Sequence, residues 1–75
     1  MRDKRERFVE LADARVKRAS QIIRLIGNLS NHNNYEYSDE DAQKIISALD
    51  AELKLLRVKF QAGLRKHATG EFRLK

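Results

Sequence analysis

The residues of this chain with chemistry to offer are four serines, two histidines, one run of acids and a large set of lysines and arginines. Hydrolysis needs a nucleophile beside a base and an oxyanion site. Ser20, Ser30, Ser38 and Ser47 are scattered, and none sits in a strand-turn-helix elbow. His32 falls in a polar stretch. His67 falls on a helical seam, where packing or compensation of the helix dipole is its easiest role. Asp39, Glu40 and Asp41 lack the glycine and spaced ligands of a calcium loop, so helix capping accounts for them better than a cation does. Gly27, Gly63 and Gly70 are too far apart to form a phosphate-cradling loop. The chain reads as a non-enzyme, with no metal and no cofactor.

The bases carry the positive signal. Sixteen lysines and arginines against 11 acids leave a net charge of +5, a balance that favours acidic partners such as nucleic acid. From Ser30 to Leu53 six acids face one base, so that stretch is −5 and the remainder +10. Lys4, Arg7, Lys17, Arg18 and Arg24 read as an outward stripe on a first helix, joined by Arg65 and Lys66, with Lys54 and Arg57, on a second. Such a stripe can follow phosphates. If the chain folds back on itself, Arg2, Lys4, Arg5 and Arg7 meet Arg65, Lys66, Arg73 and Lys75 at one basic end. The competing reading is an ordinary solvated surface, because Asp3 and Arg7, Asp13 and Lys17, and Asp50 and Lys54 are each spaced four apart in the favourable order.

Those side chains must be positioned by helices. Val9, Ala12, Val16, Ala19, Ile23 and Ile26 recur in steps of three and four, with Phe8, Ile22 and Leu29 alongside. With no proline and only three glycines, a helix is predicted from about 3 to about 30, with Asn31 or a neighbouring Asn taking a left-handed conformation at its end. Ser38 followed by Asp41 resembles a capping box and opens the second helix. Ala42, Ile46, Leu49, Leu53, Leu56 and Phe60 continue it, with Gly63 and His67 at the next seam positions. Its expected span is about 39 to 68, closed by Gly70. Residues 31–37 form the loop, and 70–75 a tail in which Phe72 and Leu74 alternate with charges. The expected fold is all-α: one helical-hairpin domain over 1–75, assembling into a larger helical bundle. The loop is too long for the tight turn of a DNA-reading helix-turn-helix.

Seventy-five residues give a thin core. Leu11 and Leu25 on the first helix, and Leu55 and Val58 on the second, lie off the main seams, so two helices alone leave them uncovered. Homo-oligomerisation or docking on a larger protein is the expected remedy. Tyr35 and Tyr37, in the loop Asn-His-Asn-Asn-Tyr-Glu-Tyr, suit a recognition surface. The preferred alternative is that one of them folds back to plug the open end of the bundle while the asparagines satisfy exposed helix-end carbonyls. With no cysteine, the expected compartment is the reducing cytoplasm. Acids interleaved among the first bases fit neither a signal nor a transit peptide, no apolar run approaches a membrane span, and no membrane partner is expected.

The segments Arg-Leu-Ile-Gly-Asn-Leu-Ser-Asn at 24–31 and Asn-Tyr-Glu-Tyr-Ser-Asp-Glu-Asp at 34–41 resemble those of small two-helix proteins of bacterial chromosomes and mobile elements. The likeness covers about half the chain, from Arg24 to Phe60, and implies a bacterial or phage origin without an activity. The architecture is also similar to the Rop-type RNA-binding proteins, helical hairpins that dimerise into four-helix bundles. Two functional expectations follow: a nucleic-acid-binding accessory or regulatory factor, or an interaction module such as a phage or mobile-element inhibitor or assembly subunit.

Overall fold

The computed structural model describes residues 3–71, with side chains over 3–66. It is all-α among these residues: a helix α1 at Lys4–Gly27, one turn of 3-10 helix at Asn28–Ser30, and a helix α2 at Asp39–Glu71. This order of elements fits a helical hairpin. Residues 1–37 and 38–75 form two compact units.

Helix α1 starts where the sequence places it. Asp3 is extended, with φ −84° and ψ 174°, and its Oδ1 accepts a hydrogen bond from the Glu6 N–H at 2.8 Å. The Asp3 carbonyl then accepts from the Arg7 N–H at 3.2 Å, closing the first helical turn. An N-terminal cap satisfies a donor that has no partner within the helix, and its carboxylate also sits favourably at the positive end of the dipole. Asp3 thus serves the backbone, whereas spacing alone pairs it with the Arg7 side chain.

The end of α1 departs from expectation. No residue takes a left-handed conformation: Asn31 is extended, at φ −74° and ψ 104°, and no described residue has positive φ. The helix tightens instead. Gly27 stays right-handed at φ −60° and ψ −30°, and the Asn28 N–H reaches the carbonyls of Arg24 and Leu25. A 3-10 turn then ends at Ser30, a common way for a helix to use up its last carbonyls.

The loop is held by its own groups. Asn31 Oδ1 accepts from the Asn33 N–H at 3.0 Å, an Asx turn of the kind this side chain favours. The Asn31 carbonyl accepts from the N–H groups of Asn34 and Tyr35 at 3.1 and 3.0 Å. Tyr37 donates its hydroxyl to the Ser30 carbonyl at 2.6 Å, and its ring stacks on His32 with centroids 4.1 Å apart and planes 12° from parallel. A tyrosine, and not an asparagine, therefore satisfies this carbonyl at the end of the 3-10 turn.

Helix α2 opens with the expected box. The Asp41 N–H donates to Ser38 Oγ at 3.1 Å, and the Ser38 N–H donates to Asp41 Oδ2 at 3.0 Å. Asp39, Glu40 and Asp41 fill the first turn, where negative charge meets the dipole's positive end. At the other end the helix does not stop at 68 but continues through Gly70 to Glu71. A helical glycine costs only about 1 kcal/mol relative to alanine, and no proline is present to force a break. The side chain of His67 and residues 72–75 lie outside what is described, as does Arg2.

Candidate nucleic-acid interface

Regular helical geometry sorts the cations of α1 into two groups. Residues three, four and seven apart share a face, which brings Lys4, Arg7, Arg15 and Arg18 together, with Leu11, Ile22 and Leu25 continuing the same line. Lys17 and Arg24, seven apart, fall on a different face with Glu6, Glu10 and Asp13. The five cations expected to form one stripe thus divide into three and two. Arg15, absent from that expectation, completes the first group, and the signal for it lies in the spacing.

The two groups differ electrostatically. Lys4, Arg15 and Arg18 have no acid one helical turn away in either direction. Arg7 borders Glu10 and Asp3, and Asp3 is engaged as the cap. Lys17 sits four residues after Asp13, in the favourable order for compensation. All six side chains are exposed, so each can meet a partner without losing buried packing. Lys4 to Arg18 spans fourteen residues, about 21 Å along the axis. On the face it shares with Val9 and Ala12, Arg5 lies over the Phe8 ring, its guanidinium carbon 5.7 Å from the centroid, an arrangement that favours a cation electrostatically.

On α2, Lys54, Arg57 and Arg65 share a face, and Lys59 and Lys66 lie seven apart on another. Residues 54–66 contain these five cations and no acid, whereas 39–53 contain five acids and one base. Arg65 and Lys66 are both exposed. Neither a family model, nor a curated protein, nor a solved structure matches this chain. Its function must be read from these surfaces.

The residues expected to bind a protein partner are equally accessible, with two exceptions. Leu25 is 64% exposed, Leu55 57%, Val58 52% and Tyr35 49%, while Leu11 is half-buried. Tyr37 is also half-buried and is committed to Ser30 and His32, which makes it part of the loop's structure. No described side chain is buried. The acids at the start of α2 are a cap, with the Asp41 carboxylate on the Ser38 N–H, and no described group of three or more His, Cys, Asp or Glu is arranged to hold a metal. Among the described residues no helix is long and apolar enough to cross a membrane.

Proposed function

We propose that this protein is a non-enzymatic nucleic-acid-binding accessory or regulatory factor that engages the phosphate backbone through α1. The observation that supports it is the segregation of Lys4, Arg15 and Arg18, with Arg7 at the margin, onto a helix face free of acid near its centre. Segregated cations release condensed counterions when they meet phosphates, whereas cations already matched by carboxylates gain less. Lys17, four residues after Asp13, belongs to the second kind of surface, and Arg24 has no acid one turn away but lies on a different face from Lys4, Arg15 and Arg18, so both play the smaller part. Arg65 and Lys66 extend the basic character onto α2. Contacts of this kind to the phosphate backbone position a protein by charge and shape and carry no sequence information directly.

The test is a fluorescence-anisotropy titration against a generic DNA duplex and an RNA hairpin at several salt concentrations. Four phosphate contacts give a slope of log affinity against log salt near −3.6 for a duplex, a loss of about 150-fold between 50 and 200 mM. Absence of saturable binding at low salt would overturn the proposal.

A second reading is a protein-interaction module, such as a phage or mobile-element inhibitor or assembly subunit. It is favoured by the exposure of Leu25, Leu55 and Tyr35. There, Leu25→Ala and Tyr35→Ala would weaken the complex, and salt would matter little.

A further inference from the structure

Helix α2 has two apolar faces. The broader one carries Ile45, Ile46, Leu49, Leu53, Leu56 and Phe60, and matches the apolar stripe of α1 in period. The second is Ala48, Ala51, Leu55, Val58 and Ala62, stepping three, four, three, four. This is the heptad seam of a helix that packs against another helix at close range. Leu55 and Val58 are more than half exposed, and a shallow hollow lies along Ser47, Asp50, Ala51, Lys54 and Leu55. The corresponding second line on α1 is interrupted by Lys4, Arg7, Arg15 and Arg18.

We propose that this face binds a second copy of α2, antiparallel, about a two-fold axis at Leu55. The charge pattern selects this occupant. Residues 39–53 hold five acids and one base, net −4, and residues 54–66 hold five bases and no acid, net +5. Two copies side by side in parallel would set like charge against like over the whole length, whereas two antiparallel copies set each acidic half against the other's basic half. The ends of the stripe are symmetric in the same sense: Ala48 and Ala62 lie seven residues either side of Leu55, so each alanine meets the other across the axis. Glu52 and Lys59 stand at equivalent flanking positions one heptad apart and are brought together twice by the two-fold. A self-complementary patch of this kind closes as a dimer.

The natural absence of cysteine makes the arrangement directly testable in the full-length chain. Leu55→Cys is expected to form a disulfide between copies on mild oxidation. Mixing Ala48→Cys with Ala62→Cys is expected to give the mixed crosslink. Ala48→Cys alone is expected to give none, because its two copies are about 21 Å apart along the axis and a disulfide needs Cα atoms within about 7 Å. Sedimentation equilibrium of the unmodified chain should show a monomer–dimer equilibrium. Glu52→Lys and Lys59→Glu should each weaken it about tenfold, and the double reversal should restore it while changing neither helicity nor net charge. A crosslink formed by the Ala48→Cys variant on its own, a failure of the double reversal to restore, or a monomer at every concentration would each overturn the proposal. The nucleic-acid reading is judged separately by the salt slope, which Glu52 and Lys59 do not enter.

Discussion

Replacing Arg15 and Arg18 together by alanine separates phosphate contact from every other role of α1. Both side chains are exposed, have no acid three or four residues away, and lie on the same face as Lys4 and Arg7. Alanine is the best helix former, so the double variant should keep or slightly raise helicity. Removing two of four phosphate contacts should move the salt slope from about −3.6 to about −1.8, so the loss between 50 and 200 mM falls from about 150-fold to about 12-fold. The assay is anisotropy against a labelled duplex over that salt range, with circular dichroism confirming the helix. Lys17→Ala is the internal control: it removes the same kind of charge from the face shared with Asp13 and should change the slope by less than one. Equal slopes for the double variant and the unmodified protein, or a larger effect from Lys17→Ala, would refute the assignment of the interface to this face.

The remaining predictions concern the elements that carry the surfaces. Ser38→Ala, which removes the acceptor for the Asp41 N–H, should cost about 1 kcal/mol and lower the thermal midpoint by about 4–8 °C at fixed protein concentration; Ser38→Asp should retain stability, and equal midpoints for both would show that the box does not set the helix start. Gly63→Ala should stabilise by about 0.4–1 kcal/mol in denaturant titrations, since nothing lies within 4 Å of the added Cβ; a loss would mean that a partner packs directly on that site. Tyr37→Phe keeps the His32 stack but removes the hydroxyl bond to the Ser30 carbonyl. It should cost about 0.5–1.5 kcal/mol in the same titration, and an unchanged midpoint would show that solvent serves that carbonyl equally well.

The all-α class, the two helix starts and the loop's limits were legible in the amino-acid order because each is local. Apolar steps of three and four declare a helix over many residues, and Asp3 and Ser38 each bond a backbone N–H three residues on, within reach of their own side chains. The grouping of Lys4, Arg7, Arg15 and Arg18 was present in the same spacing and needed only the helix's angular period to be applied. Helix ends were harder. Glycine and asparagine permit a left-handed stop without requiring one, and the backbone at Gly27 and Asn31 stays out of that region. Only the three-dimensional structure decided that the Tyr37 hydroxyl, seven residues from Ser30, caps its carbonyl while the ring stacks on His32. That contact depends on how the Asn31 turn bends the chain back, a geometry set by several backbone bonds acting together and by no single residue type. Nothing in the residue types chose between Tyr35 and Tyr37, because a tyrosine can recognise a partner or close a loop, and the fold of the loop assigns that closing role to Tyr37.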